Sequence, residues 1–339
     1  MTSSRIAGTG SYLPGRRVNN KEVAALLGLK DEDIFRVTGI KSRYWCGPEQ
    51  TCSDLGEQAA RRALVSAGLS IESVDAIFVS TTSPDNVFPS TACHLQHKLQ
   101  AKTVPAFDLS ASCTGFLYGL STANAFIQSG QARCCLVVAA EVKSRYLSST
   151  QKSSAMLFGD GAGAAVVMKG NSSENNGMKA AAEFLSIRLH SDGQGHDFIK
   201  IPAGGSKFPA NIEPVKNDLH AIGLKGGAVF RAGVKRLSSA CSETLSEYGL
   251  TIEDIVQVIA HQANARMLKA IAKRAGVPLD KMFSMIEQVG NTSSASLPIA
   301  LDVAHRQKKF GQGDLILLGA FGGGLTWGCL LYTSPSPRD

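Results

Sequence analysis

The chain of 339 residues is 44% hydrophobic and 19% charged, which is typical of a soluble globular protein long enough for two domains. It has no run of about 20 apolar residues, as a membrane helix needs. Its first residues lack the apolar core of a secretory signal, so we expect a cytoplasmic protein without membrane contact. The net charge of +7 favours an acidic partner, but no Lys/Arg-rich run or aromatic-basic interleaving indicates nucleic-acid binding.

The predicted elements occur in two similar series along the chain. Gly68–Val74, which ends an amphipathic helix and precedes an apolar strand, resembles Gly249–Ile255 in the same context, 181 positions later. Gly130-Gln131, also between a helix and a strand, recurs at the same offset as Gly311-Gln312. Short buried strands that alternate with amphipathic helices predict an α/β fold built from parallel strands. The shared offset predicts that the fold consists of two pseudo-symmetric halves.

Polar and proline-containing segments mark the predicted boundaries. The N-terminal half covers residues 1–175 and the C-terminal half residues 176–332, with the polar segment 171–177 at the junction. Residues 202–217 are predicted to form a long loop inserted in the second half. Because proline cannot donate to a sheet ladder, we interpret residues 333–339 as a disordered or non-native tail.

Cys113 is the candidate nucleophile among eight cysteines. The eight contain no C-x-x-C pair and no zinc-finger spacing, so we expect free thiols and no metal site. Cys113 lies between an apolar strand that ends near Leu109 and a helix of small and apolar residues. A thiol at a helix N-terminus faces unsatisfied N–H groups and the positive end of the helix dipole, and both favour the nucleophilic thiolate. An inert core cysteine is the alternative.

Two later residues are candidate partners of this thiol. His261 follows the apolar run Val256–Ala260, at the carboxyl end of a predicted strand, where catalytic groups of α/β sheets collect. A cysteine nucleophile needs a histidine that can be distant in sequence, although a core or capping histidine is the alternative. Asn291 lies in the turn that the 181-residue offset relates to the turn of Cys113. Helix capping is its alternative role, alone or together with chemistry.

A glycine-rich turn, Phe321–Gly324, follows the predicted strand Leu315–Ala320. Glycines permit a close approach of the backbone to a ligand, so an N–H group here is a candidate partner of the Cys113 N–H in an oxyanion hole. A plain tight turn is the alternative.

Taken together, five motifs in this order resemble β-ketoacyl-acyl-carrier-protein synthase III. They are Ser110–Phe116, Phe158–Ala164, His261–Asn264, Gly290–Ser293 and Phe321–Gly324. The resemblance implies the thiolase-like fold of that family, a five-layered αβαβα duplication, which agrees with the internal offset.

The resemblance also implies a reaction and roles. Cys113 takes an acyl group from a coenzyme A thioester, and the N–H groups of Cys113 and Gly323 hold the oxyanion. His261 and Asn291 then stabilise the enolate-like charge that forms when malonyl-acyl-carrier protein loses CO₂. The carbanion attacks the acyl-cysteine and gives a 3-oxoacyl product, the first step of fatty-acid synthesis. Coenzyme A thioester is a substrate here, and no cofactor is expected.

Further positions match substrate-binding and partner-binding residues of the family. Phe88 matches the residue that crosses the interface of a homodimer to close the partner's acyl pocket. Phe158 matches a pocket residue, Phe230 and Asn264 match pantetheine-tunnel residues, and Lys152 stands where the family has an adenine-side arginine. The positions that match the basic surface for the acidic carrier protein are Arg231, Arg266, Lys273 and Arg274.

The chain departs from the family at the adenine clamp. Before Thr38-Gly39-Ile40, Asp33 and Val37 occupy the places of the Trp and Arg that sandwich the adenine. The departure and the 202–217 loop favour an alternative, an acyltransferase of specialised metabolism that uses a different acceptor. A non-catalytic partner subunit is the alternative of another class, and the complete Cys113, His261 and Asn291 set argues against it.

Overall fold

Two five-stranded β-sheets form the framework of residues 4–170, 183–209 and 218–334, the parts of the chain that this computed structural model describes. The strands there are β1 (Ser4–Tyr12), β2 (Arg16–Asn19), β3 (Ser42–Trp45), β4 (Ala76–Ser80), β5 (Ala106–Leu109), β6 (Cys134–Glu141), β7 (Gly161–Lys169), β8 (Phe184–Ser191), β9 (Ile199–Lys200), β10 (Gly223–Leu224), β11 (Gln257–Ala260), β12 (Met282–Phe283), β13 (Leu315–Gly322) and β14 (Thr326–Thr333). The α-helices are α1 (Asn20–Leu27), α2 (Asp31–Thr38), α3 (Cys52–Ala67), α4 (Thr91–Leu99), α5 (Gly115–Gln128), α6 (Lys152–Ala155), α7 (Gly226–Glu247), α8 (Ala265–Ala275), α9 (Ile286–Val289) and α10 (Ser296–Arg306).

Local signals in the sequence set the ends of the helices. Before α3, the backbone N–H of Thr51 donates to the Asp54 carboxylate at 2.8 Å, and the Thr51 hydroxyl donates to it at 2.7 Å. Thr51 and Asp54 form a capping box, which fixes the start of the helix. The helix ends at Gly68, whose φ of 64° is a left-handed conformation that favours glycine. The repeated Gly-Leu segments of the sequence are therefore helix ends.

The two sheets have the same strand order and the same strand directions. The first runs β1-β7-β6-β4-β5 and the second β8-β14-β13-β11-β12. In the first sheet β4 is parallel to β5 and β6, whereas β7 is antiparallel to β6 and β1. In the second, β11 is parallel to β12 and β13, whereas β14 is antiparallel to β13 and β8. The prediction of two pseudo-symmetric halves is confirmed.

The predicted parallel arrangement fails for one strand of each sheet, since β7 and β14 run opposite to the other four strands of their sheets. Residues 323–325 alone connect β13 to β14. A connection of that length cannot return the chain to the other end of the sheet, because a parallel crossover needs a dozen or more residues. The two strands therefore pair as a hairpin.

The helices form three layers around the two sheets. α5 and α10 lie between the sheets and bury apolar side chains against both. α3 and α4 cover the outer face of the first sheet, and α7 and α8 cover the outer face of the second. The result is the five-layered αβαβα fold that the sequence predicted. No helix of the described residues is long and apolar enough to cross a membrane.

The predicted boundaries are covered only in part. The junction at 171–177 lies outside the described residues, as do 210–217 of the predicted loop and 335–339 of the predicted tail. The division at residue 175 therefore stays a prediction. β14 continues to Thr333, and the Ser334 N–H donates to the Asp314 carbonyl at 2.9 Å. Residues 333 and 334 of the predicted tail are therefore part of the second sheet and its contacts.

Strand β1 and helix α3 pack backbone against backbone at Gly10. A Cβ at Gly10 would lie 2.4 Å from the Ala59 carbonyl oxygen and 2.4 Å from the Ala63 nitrogen, neither of which can rotate away. We expect Gly10→Ala to lower the free energy of unfolding by about 1–3 kcal/mol or more, as overpacking does. Urea denaturation measures it. The matched control is Gly15→Ala, where a Cβ meets no atom within 4 Å. Equal stability of the two variants would contradict the packing described here.

Candidate active site

A cavity of about 690 Å³ lies between the two halves, and the three candidate catalytic residues all line it. Cys113 comes from the turn between β5 and α5, His261 follows β11, and Asn291 lies in the turn before α10. All three are at least 93% buried. The duplicated fold brings both interior helices to this point, so Cys113 lines the same cavity as two residues that lie 148 and 178 positions later.

The Cys113 thiol sits at a strained turn. Ser112 has a φ of 51°, rare for a residue with a side chain, and residues Ser112–Thr114 form a 3₁₀ turn that leads into α5. Ser293, 181 positions later, has a φ of 52° and opens the corresponding turn before α10. The pseudo-twofold relation predicted for Cys113 and Asn291 therefore extends to the backbone conformation of their turns.

Burial works against the thiolate that the helix N-terminus was expected to favour. It raises the pKa of the Cys113 thiol, and the carboxylate of Glu141 adds to the rise. The hydroxyl of Ser293 lies 3.5 Å from Cys113 Sγ, and the hydroxyl of Ser112 lies 3.9 Å from it. The resting nucleophile is therefore a neutral thiol with two hydroxyl neighbours.

The His261 imidazole is neutral and is held by a serine. Burial lowers its pKa to about 4, so it carries no charge at neutral pH. Ser296 Oγ lies 2.5 Å from His261 Nδ1 and accepts the Gln262 N–H at 3.2 Å. We assign the Ser296 hydroxyl proton to the bond with Nδ1, which leaves the imidazole proton on Nε2. His261 is then a hydrogen-bond donor on the side of the ring away from Ser296.

The Asn291 amide is oriented by its own turn. Its Oδ1 accepts the Ser293 N–H at 2.8 Å, and its Nδ2 donates to the Ala263 carbonyl at 3.3 Å. The amide nitrogen carries two N–H groups, so the one that Ala263 does not take can donate to a molecule in the cavity. Asn291 therefore caps its turn and lines the cavity at once.

The glycine turn after β13 lies against the nucleophile. A Cβ at Gly322 would be 2.7 Å from the Cys113 nitrogen, so only glycine permits this approach. The N–H of Gly323, the expected oxyanion donor, donates to Ser112 Oγ at 3.2 Å. In this structure the Ser112 hydroxyl oxygen thus accepts the N–H hydrogen bond that the sequence analysis assigned to the oxyanion.

A buried ion pair near Cys113 was missed by the sequence analysis. Glu141 is fully buried at the end of β6, and Lys143 Nζ donates to its Oε2 at 3.0 Å and to Thr82 Oγ1 at 2.5 Å. Burial would raise the pKa of Glu141, but Lys143 and several hydroxyl donors hold it below its usual value. The available signal was a Glu-Val-Lys sequence directly after an uncharged, apolar strand.

The predicted substrate residues separate into two groups. Phe158, Phe230 and Asn264 line the cavity, as does Val37 of the altered adenine clamp. Asn264 also caps α8, since its side chain accepts the Met267 N–H at 2.8 Å. The exposed side chains of Lys152 and Phe88 do not line the cavity.

The predicted docking residues are exposed basic side chains on α7 and α8. Arg231 of α7 and Arg266 of α8 line the cavity as well, whereas Lys273 and Arg274 lie in the last turn of α8. The two helices pack on each other over the second sheet. The positive charge therefore lies beside the cavity and along one helix.

Comparisons with known proteins identify the family of this chain. Residues 107–193 match the family 3-oxoacyl-[acyl-carrier-protein] synthase III, and residues 245–334 match its C-terminal region. A β-ketoacyl-[acyl-carrier-protein] synthase III of Caldanaerobacter subterraneus subsp. tengcongensis is 44% identical over 95% of both chains. One of Thioalkalivibrio sulfidiphilus is 43% identical over 98% of this chain and 99% of the relative. The crystal structure of the Aquifex aeolicus 3-oxoacyl-[acyl-carrier-protein] synthase III aligns with a TM-score of 0.87 at 39% identity, covering 98% of this chain and 100% of that one. The chain therefore belongs to the β-ketoacyl-acyl-carrier-protein synthase III family, as its motifs indicated.

Proposed function

We propose that this chain acts in the cytoplasm as an acyltransferase that condenses an acyl-coenzyme A primer with malonyl-acyl-carrier protein. The product is a 3-oxoacyl-acyl-carrier protein, and the step starts fatty-acid synthesis. The observation that carries the proposal is the convergence of Cys113, His261 and Asn291 on one buried cavity, with a thiol from one half and two hydrogen-bond donors from the other.

In the first step, Cys113 Sγ attacks the carbonyl carbon of the acyl thioester. The new C–S bond forms first and gives a tetrahedral oxyanion; the bond to coenzyme A sulfur then breaks, and the thiol proton leaves with coenzyme A as its free thiol. The N–H groups of Cys113 and Gly323 stabilise the oxyanion of the intermediate. Since Ser112 Oγ accepts the Gly323 N–H in the free enzyme, the oxyanion takes the place of that hydroxyl as acceptor.

In the second step, malonyl-acyl-carrier protein loses CO₂ and leaves an enolate on its thioester. His261 Nε2–H and the Asn291 amide donate to the thioester oxygen, where negative charge develops. The enolate carbon attacks the acyl carbon on Cys113, the C–S bond breaks, and a proton taken up from solvent restores the thiol. The neutral state of His261 suits this role. Its low pKa means that the ring does not take up a second proton at neutral pH, and the neutral ring keeps the Nε2 proton that it donates in the hydrogen bond.

The remaining residues have proposed roles in binding. Phe158, Phe230 and Asn264 contact the acyl and pantetheine parts of the substrates in the cavity they line. Arg231, Arg266, Lys273 and Arg274 attract the acidic carrier protein to the cavity mouth. Phe88, which is 84% exposed, closes the pocket of a second copy in a homodimer. Lys152 is proposed to contact the adenine end of coenzyme A from the surface.

The altered adenine clamp supports a second candidate, an acyltransferase with a different acyl donor or acceptor. Asp33 bonds to Arg36 at 2.8 Å, and Val37 lines the cavity where the family has an arginine. The same cysteine would be acylated, but malonyl-acyl-carrier protein would not discharge it. A non-catalytic subunit would show no acylation at all.

Acylation of Cys113 is the first prediction. Wild-type protein mixed with an acyl-coenzyme A or acyl-carrier-protein donor should gain the mass of one acyl group, which malonyl-acyl-carrier protein then removes as the 3-oxoacyl product. Cys113→Ala should gain none, because no other group replaces the nucleophile. Intact-protein mass spectrometry measures both. Retention of the acyl group in the presence of malonyl-acyl-carrier protein would support the second candidate.

The two hydrogen-bond donors should be separable from the nucleophile. We expect His261→Ala and Asn291→Ala to leave Cys113 acylation near the wild-type rate and to slow malonyl decarboxylation about 10²–10³-fold each, as loss of an oxyanion donor does. Released CO₂ and single-turnover acylation are measured in parallel. Condensation at the wild-type rate in either variant would contradict its assignment.

The pH dependence of condensation tests the protonation state of His261. Its pKa of about 4 lies below the ordinary value near 6.5, so His261 stays neutral as the pH falls through 6.5 and becomes charged only near 4. Discharge of preformed acyl-enzyme should therefore show no inflection near pH 6.5. Single-turnover experiments with rapid quenching between pH 5.5 and 8 measure the rate of this discharge. An inflection near 6.5 in wild type that is absent in His261→Gln would overturn this prediction.

A further inference from the structure

The Glu141 carboxylate gathers hydroxyl groups from both halves of the fold. Its Oε1 accepts the hydroxyl of Ser293 at 3.0 Å and that of Ser294 at 2.9 Å. Its Oε2 accepts the hydroxyl of Ser83 at 2.6 Å and the ammonium of Lys143 at 3.0 Å. All of these side chains are buried, and the proposed reaction assigns none of them a role.

Ser293 joins this carboxylate to the nucleophile. Its oxygen lies 3.5 Å from Cys113 Sγ and 3.0 Å from Glu141 Oε1. A hydroxyl has one proton, and an ionised carboxylate can only accept, so the Ser293 proton belongs to the bond with Glu141. The Ser293 oxygen is then left to accept the S–H of Cys113. The direction of the chain of hydrogen bonds is therefore Cys113 to Ser293 to Glu141.

Lys143 makes that direction possible. A fully buried carboxyl would otherwise take up a proton, which would allow it to donate to Ser293 and reverse the chain. The ammonium at 3.0 Å balances the carboxylate charge and keeps Glu141 an acceptor. Charged or titratable groups near Cys113 include Glu141 at the end of β6, Lys143 two residues later and the neutral His261 after β11.

We propose that Glu141 and Ser293 are positioning residues, which hold the Cys113 S–H in one orientation and keep the nucleophile protonated until a thioester binds. With its proton directed at Ser293, the sulfur presents its lone pairs to the cavity, where the thioester carbonyl arrives. The hydrogen bond also stabilises the neutral thiol relative to the thiolate, which limits attack on other electrophiles. The inference rests on the nucleophile proposed above and adds the groups that control it.

Two measurements on Ser293→Ala test the proposal, because it requires them to change in opposite directions. Acyl transfer from acyl-coenzyme A to Cys113 should slow about tenfold, since the sulfur is no longer oriented. Alkylation of Cys113 by iodoacetamide at pH 7 should become about two- to fivefold faster, with an apparent pKa lower by about half a unit, since the neutral thiol loses its acceptor. Peptide mass spectrometry follows the labelled cysteine. Alanine, like serine, has an unbranched Cβ, so we expect it to keep the φ of 52° at this position.

Ser294→Ala is the matched control. Ser294 is equally buried and loses the same kind of bond to Glu141. Within the described residues its hydroxyl bonds to Glu141 and to the Ser80 carbonyl, not to Cys113. Both rates should stay within about twofold of wild type. If Ser293→Ala slows alkylation, Ser293 donates to the sulfur and the proposal is wrong. The proposal also fails if the control changes both rates as much as Ser293→Ala.

Glu141→Gln provides a second, independent variant, in which the glutamine oxygen still offers Lys143 an acceptor. Lys143 requires an acceptor, so the glutamine oxygen should face Lys143 and its amide should face Ser293. The Ser293 proton would then be released toward Cys113 Sγ, and alkylation at pH 7 should again become faster. Unchanged alkylation in this variant would overturn the proposal. Absence of acyl transfer in wild type would instead contradict the function proposed above, since alkylation does not depend on it.

Discussion

The buried carboxylate of Glu141 is the contact on which the two halves of the site depend. It extends from the end of β6 in the first half and accepts hydroxyl groups of Ser293 and Ser294 from the second. Lys143 balances its charge in a region from which water is excluded. Leaving one member of such a pair without its partner costs about 3–5 kcal/mol, a large share of the net stability of a typical domain. The position of the turn opposite Cys113 is therefore tied to an interaction that the fold cannot readily lose.

Burial explains most of the chemistry of this site. Between two sheets, the charged forms of both Cys113 and His261 are disfavoured, so the thiol pKa rises and the imidazole pKa falls. The nucleophile and the donors are therefore uncharged in the free enzyme, and negative charge develops in the site only when a bound thioester reacts. The same low-polarity surroundings then strengthen the hydrogen bonds that stabilise that charge. The strained turns at Ser112 and Ser293 are the backbone cost of bringing two helix starts to one point.

The sequence predicted the architecture well, because the fold is a duplication with local signals. The Gly68 and Gly249 segments share an offset, and both are helix ends before central strands. The same offset related Cys113 to the turn of Asn291, and both turns have the same backbone conformation. Strand direction was not predictable in this way. β7 and β14 are as apolar as their parallel neighbours, and an apolar run has the same pattern in either direction.

The sequence by itself determined the family, the five layers and the three residues that line the cavity, because motif order and helix ends are properties of consecutive residues. Only the tertiary structure decided which group faces which. Three such contacts join residues 35 to 211 positions apart. They are the hydrogen bonds of Ser293 with Glu141, of the Gly323 N–H with Ser112 and of Ser296 with His261. The rise of the thiol pKa was likewise outside the reach of a local argument. A helix N-terminus favours the thiolate, but the packing of both halves around Cys113 outweighs it.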